Sequence, residues 1–216
     1  MSEAEVHLWR ASLDEEGWPG PERLPPPERE RAAGFLRAEV RERWVASRWA
    51  LRGVLARYLG EEPAAIELAE GEHGKPRLAR DPSRLRFNLS HSGRLALVAI
   101  CREREVGVDV EEIAGRGNLV ALAERALAAE DVAAVRAADE DERAAVFHDR
   151  WARHEARLKC LGVGLGGPAR EMPVTVTSLR PGDGYAAAVA VEGSEQPSLR
   201  EWTFGPPRQG DEWRVS

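Results

Sequence analysis

Residues 105–111 read EVGVDVE, and a further acid, Glu112, follows. Val106, Val108 and Val110 alternate as the residues of a half-buried strand do, so they share one face. Gly107, Asp109 and Glu111 then project together from the other face. Two carboxylates about 7 Å apart along one strand face repel each other unless something neutralises them. Either that face is wet or it meets a counter-charge, and the strand alone leaves both open.

Working outward, the strand lies near the middle of a 216-residue chain, long enough for one large domain or two small ones. Before it, ERERAAGFLRAEVRERWVASRWALRGVLARYLG (28–60) reads as helix broken near Gly34, with Gly60 as a natural stop. RLRFNLS (84–90) reads as a short strand ending in the turn-like HSG. LALVAI (95–100) and EVGVDVE read as two strands joined by CRER in a hairpin. After it, about 118–161 is helical and rich in alanine and acids. PVTVTSL, YAAAVAV, EWTFG and EWRVS then read as short strands between Pro, Gly and Asp turns. Helix then strands, twice, is an α+β layout in two similar-sized halves, 1–104 and 105–216.

Composition bounds the function classes. No apolar run is long enough to span a bilayer, the longest being LALVAI and YAAAVAVE. MSEAEVHLWR lacks the charged-then-apolar pattern of an export signal. Two cysteines, Cys101 and Cys160, sit in no metal-like cluster and fit a reduced, cytoplasmic setting. A net charge of −6 argues against a general nucleic-acid binder. The charge is uneven, however: eight arginines face four glutamates between Glu28 and Arg57, while seven acids face two arginines between Glu124 and Glu142. The basic segment suits a phosphate-rich ligand or an acidic partner; solvated helix faces account for the same charges.

Residues 151–166 read WARHEARLKCLGVGLG. Phe147, Trp151, His154, Leu158 and Leu161 follow the spacing of an amphipathic helix, with Glu155 and Lys159 one turn apart beside that stripe. Alone, the pair reads as a surface ion pair worth about 0.3–0.5 kcal/mol. GVGLGG (162–167) lacks the Lys-Ser ending of a phosphate loop and reads as a helix stop. Three other stretches carry polar groups at turns or on one helix face: SRWALR (47–52), GKPRL (74–78) and FNLSHSG (87–93).

Taken in order, GKP, FNLSHSG, VGVDVEE and WARHEARLKCLGVGL resemble the motifs of the 4′-phosphopantetheinyl transferases, in their larger, single-chain, surfactin-synthetase-activating form. The match covers residues 74–166, and Arg48 extends it towards the N-terminus. One departure stands out, His154 where the family usually has lysine. A group with a pKa near 6.5 there replaces a permanent cation. It also falls on the apolar stripe, which makes a packed role as good a reading as a phosphate contact.

The resemblance implies two α/β halves about a pseudo-twofold axis with coenzyme A between them, and a monomer, because one chain supplies both halves. It implies transfer of 4′-phosphopantetheine from coenzyme A to a serine of an apo acyl or peptidyl carrier protein, releasing adenosine 3′,5′-bisphosphate. It further implies Mg2+ held by Asp109, Glu111 and Glu155. Lys159 then binds the pyrophosphate, and Glu155 is the candidate general base. Arg48, Lys75 and His91 match contacts to the coenzyme A phosphates, and Pro76, Asn88 and Ser90 shape the same pocket. Two rivals are a non-catalytic coenzyme A or carrier-binding module and a metal-dependent nucleotide hydrolase. The sequence leaves open which carrier is served and whether acyl-coenzyme A is accepted.

Overall fold

A computed structural model describes residues 5–71, 74–81, 83–115, 117–163 and 172–207. The described residues mix helix and strand. The first sheet has the order β4-β5-β1-β9, built from β1 (Glu5–Ser12), β4 (Leu85–Ser92), β5 (Leu95–Arg102) and β9 (Ser198–Thr203). A second has the order β6-β8-β7, from β6 (Val106–Glu112), β7 (Val174–Leu179) and β8 (Tyr185–Glu192). A small hairpin, β2 (Leu68–Glu70) with β3 (Pro76–Leu78), stands apart.

The helical stretch at 28–60 is two helices, α1 (Pro26–Ala33) and α2 (Ala38–Leu59), broken after Gly34 as expected. The later stretch is three, α3 (Leu119–Ala126), α4 (Ala129–Ala137) and α5 (Arg143–Leu161). The apolar residues of α2, among them Ala50, Leu51, Val54 and Leu55, pack on Phe87, Val98 and Ile100 of the first sheet. The opposite face of that sheet, through Val6, Leu8, Leu97 and Ala99, packs on Val106, Val108, Val110, Val189 and Val191 of the second. The second sheet's far face then meets α5 through Ala152, Ala156, Cys160, Ala188 and Ala190. The layers therefore run α2, sheet, sheet, α5, and strands β5, β6 and β8 are covered on both faces.

That layering explains why the expected hairpin between residues 95–100 and 105–111 does not form. β5 pairs with β4 and β1, whereas β6 pairs with β8, so the chain crosses from one sheet to the other at 103–105. Glu103 makes the crossing with φ 70, a left-handed conformation. The actual hairpin is β4–β5, closed through Gly93. β9 pairs in parallel with β1, so a strand at 198–203 completes the sheet of β1, β4 and β5. EWRVS lies outside the described residues.

α5 also differs from the reading of its sequence. The stripe of large residues is only half buried at Trp151, His154 and Leu158, where Phe147 and Trp151 meet α3 and α4. The face that lies on the sheet is the small one, Ala152, Ala156 and Cys160 at i, i+4 and i+8. Small residues let the helix axis come close to β6, and that closeness places its polar residues against the strand. At its end Gly162 takes φ 67 and donates its N–H to the last-turn carbonyls, so the glycine run does begin as a helix stop. Residues 164–167 of that run lie outside the described ones.

Candidate active site

β4 and β6 are edge strands of different sheets, and they meet edge to edge. Such edges leave unpaired backbone groups, and here side chains take them up. Asn88 Oδ1 accepts the Val108 N–H at 2.9 Å, Ser90 Oγ that of Val110 at 3.3 Å, and Ser92 Oγ that of Glu112 at 3.0 Å. The alternate polar residues of FNLSHS are thus the seam between the sheets. Asn88 and Ser90 are buried there, and Asn88 is a stitch in the seam, which accounts for its burial without any ligand.

The seam carries Asp109 into the interior, 3% exposed. Its face of β6 is not wet: α5 covers it. Lys159, on α5, donates to Asp109 Oδ1 at 2.6 Å and to Ser90 Oγ at 3.1 Å, and Ser90 donates to the same Oδ1 at 2.9 Å. The counter-charge to this strand is therefore the lysine four residues beyond Glu155. Asp109 Oδ2 is buried with no hydrogen-bond partner among the described residues, and so is Glu155 Oε1. Glu111 accepts from Ser92 Oγ at 3.3 Å.

The electrostatics agree with the geometry. Burial pushes the Asp109 carboxyl above the usual range, with Lys159 pulling the other way. Glu111 and Glu155 are also raised, first by burial and then by the charge of Asp109, with Lys159 again opposing. Burial therefore raises all three carboxyls, the charge of Asp109 adds to it at Glu111 and Glu155, and one ammonium opposes both effects. Among the described residues no group of three or more His, Cys, Asp and Glu side chains is already gathered closely enough to hold a metal ion.

A cavity of about 570 Å³ lies beside the seam, lined by Arg48, Trp44, Arg31, Pro76, Leu89 and His91 among others. His91 has an outer edge open to the cavity but is crowded elsewhere. Burial lowers its pKa, and Lys159 and Arg48 lower it further. His154 is half buried, its ring 6.4 Å from that of Trp151, and acts as a tilted packing neighbour.

Lys75 is placed otherwise than expected. Its ammonium donates to Glu105 Oε2 at 3.1 Å, to the Val106 carbonyl at 3.0 Å and to the Lys159 carbonyl at 3.0 Å. An ammonium has three donors, so none is left for a phosphate in this arrangement. Lys75 instead pins the β2–β3 hairpin to the start of β6 and to the last turn of α5, where a cation also meets the helix dipole. Replacing it with methionine is expected to cost about 1–3 kcal/mol of stability through the stranded carbonyls. The same change leaves the Michaelis constant for any phosphate-bearing substrate within about threefold. Thermal unfolding and steady-state kinetics on one preparation separate these effects.

Two participants escaped the sequence reading. Ser92 continues the seam, and its two-residue spacing from Asn88 and Ser90 was the available signal. Glu28, on α1, accepts from Arg48 and from Arg52 on α2. Two arginines at i, i+4 with no acid at helical spacing on α2 require a counter-charge from elsewhere.

Comparison with known families places these features in context. A family profile described as 4′-phosphopantetheinyl transferase superfamily matches residues 105–212, and one described as 4′-phosphopantetheinyl transferase, N-terminal, matches 9–103. The 4′-phosphopantetheinyl transferase HetI of Nostoc sp. is 34% identical over 215 residues, covering 88% of each chain. The Bacillus subtilis 4′-phosphopantetheinyl transferase is 26% identical, covering 81% of this chain and 74% of its own. The human L-aminoadipate-semialdehyde dehydrogenase-phosphopantetheinyl transferase is 28% identical, covering 84% of this chain and 62% of its own.

Proposed function

Because the chain belongs to the 4′-phosphopantetheinyl transferase superfamily and is a transferase of phosphopantetheine to carrier proteins, we propose that its donor is coenzyme A and that the Asp109–Glu155–Lys159 cluster is its catalytic centre. The carrying observation is the pair of buried carboxylate oxygens, Asp109 Oδ2 and Glu155 Oε1, that find no hydrogen-bond partner among the described residues and lie beside one lysine. Unpaired buried acceptors cost stability, about 1–3 kcal/mol each, and are kept where a bound group satisfies them.

The reaction joins a carrier serine Oγ to the phosphorus next to pantetheine and breaks that phosphorus's bond to the bridging oxygen, which leaves on adenosine 3′,5′-bisphosphate. Glu155 takes the serine proton; a carboxylate whose proton affinity is raised by burial and by Asp109 is a better base than one in water. Lys159, held by Asp109 and Ser90, offers its ammonium to the leaving phosphate, where negative charge grows. Arg48 and His91 line the cavity and fit the coenzyme A phosphates, the 3′-phosphate among them, with Pro76 at the edge of the same space.

Asp109, Glu111 and Glu155 suit Mg2+ in kind: all three are hard oxygen donors, two carry an unsatisfied buried oxygen, and their mutual repulsion asks for a cation. Bound there, the ion would supply Lewis-acid neutralisation of the pyrophosphate. The order α2, sheet, sheet, α5 supports reading 1–104 and 105–216 as similar halves about a pseudo-twofold axis, with a monomer as the working unit. No described helix is long and apolar enough to cross a membrane.

The test incubates the protein with coenzyme A, Mg2+ and each of several apo carrier domains, and then weighs the carriers. One phosphopantetheine added to a carrier, lost when Mg2+ is chelated, is the expected result. Absence of any mass gain across the panel would exclude the reading, and hydrolysis of coenzyme A without a carrier would favour the nucleotide hydrolase.

A further inference from the structure

The geometry points to Glu28 as a positioning residue: its carboxylate holds the Arg48 guanidinium in the wall of the phosphate cavity. The chain of contacts starts in the loop after α2. Arg52, 2% exposed, donates through Nη1 to the carbonyls of Pro63 and Ile66, both at 2.9 Å, which fixes its guanidinium against the backbone. Its Nε then donates to Glu28 Oε2 at 2.7 Å. The other carboxylate oxygen, Oε1, accepts from Arg48 Nε at 2.6 Å and also pairs with Arg48 Nη2. Trp44 flanks the same guanidinium, its ring centroid 5.9 Å from Arg48 Cζ. Glu28, Arg48, Arg52 and Trp44 all line the cavity that His91 enters from β4.

An arginine side chain left loose carries about 2 kcal/mol of rotamer entropy, which binding a phosphate would have to overcome. Gripping two donors on one side of the guanidinium removes much of that freedom in advance, because the planar fork then has one orientation. A second effect is charge. Arg48 and Arg52 stand one helical turn apart and repel each other; one carboxylate between them leaves the trio with a single net positive charge. Glu28 is thereby a support and not a competitor: its carboxylate is anchored by buried Arg52, and withdrawing it would leave two buried cations face to face. This assignment rests on the reading of Arg48 as a contact to the 3′-phosphate of coenzyme A.

Binding, which needs no turnover, provides the test. Adenosine 3′,5′-bisphosphate and adenosine 5′-monophosphate are titrated into the full chain by calorimetry, and the two differ only in the 3′-phosphate. Glu28→Gln is expected to weaken the bisphosphate about tenfold and the monophosphate less than twofold. On an Arg48→Ala background the same substitution is expected to add less than twofold. Should Glu28→Gln unfold, as circular dichroism would reveal, Glu28→Asp keeps the charge but withdraws the carboxylate by one methylene, and a loss confined to the bisphosphate is again expected. Equal losses on both nucleotides, a full loss persisting without Arg48, or tighter binding would overturn the assignment. Wild-type protein that binds the bisphosphate yet transfers nothing to any carrier would instead remove the transferase mechanism and leave the role of Glu28 standing.

Discussion

Replacing Asp109 with asparagine is expected to lower the turnover of phosphopantetheine transfer by about a thousandfold, on the order of 4 kcal/mol of transition-state stabilisation. The fold is expected to survive. Asparagine keeps an acceptor at the position of Oδ1, so Ser90 and Lys159 retain a hydrogen bond, and β6 keeps its seam to β4, which uses Asn88, Ser90 and Ser92 and not Asp109. What disappears is the charge. Lys159 loses its ionic partner, and Glu111 and Glu155 lose the neighbour that raises their proton affinity. Removing a carboxylate that burial disfavours offsets part of the lost ion pair, so the unfolding free energy is expected to stay within about 1 kcal/mol of wild type. Rapid-quench or mass-spectrometric rates and a denaturant titration settle both halves of the forecast. A folded variant at wild-type rate would remove Asp109 from the centre.

Local signals carry the element ends, as at the break near Gly34 and the stop at Gly162, while the pairing of strands leaves no local trace. Asp109, Glu155 and Lys159 stand out as a set only through the ordered motifs of the family resemblance; alone, the Glu155–Lys159 pair reads as a surface ion pair. The partners of Lys75 were unreadable: its ammonium closes contacts to Glu105, Val106 and Lys159, up to 84 residues away, and a cation in a turn looks the same whether it meets phosphate or carbonyl. β1 is hard to read because its alternation slips phase at Leu8–Trp9: Val6 and Leu8 are buried in one cluster, Trp9 and Ala11 in the other, with Arg10 and Ser12 exposed. LALVAI and EVGVDVE look like hairpin partners because only CRER separates them, and nothing in so short a link shows that the chain changes sheets. β9 is legible as a strand at EWTFG, but its parallel pairing is not, since its partner β1 lies at the opposite end of the chain.

Gly107→Ala is expected to be the most destabilising glycine-to-alanine change among the described residues, costing about 3–5 kcal/mol. The strand geometry there is ordinary; the demand for glycine comes from the helix. An added Cβ would lie 3.0 Å from the Lys159 carbonyl carbon and closer still to the Ala156 carbonyl oxygen and the Cys160 amide nitrogen. These are backbone atoms of α5, so no side chain can rotate away and the helix itself must retreat. Retreat opens the packing of Ala152, Ala156 and Cys160 on Ala188 and Ala190, a face built of small residues for close approach. It also withdraws Lys159 from Asp109 Oδ1, now at 2.6 Å, and carries Glu155 with it. For a chain of 216 residues, about 2–4 °C of melting temperature per kcal/mol puts the fall at roughly 6–20 °C. Transfer activity should fall by at least tenfold even at temperatures where the variant remains folded, since the displaced residues are those proposed as the catalytic centre. A variant that melts with wild type and turns over normally would mean that α5 does not lie on β6 at this distance, and the burial of Asp109 would go with it.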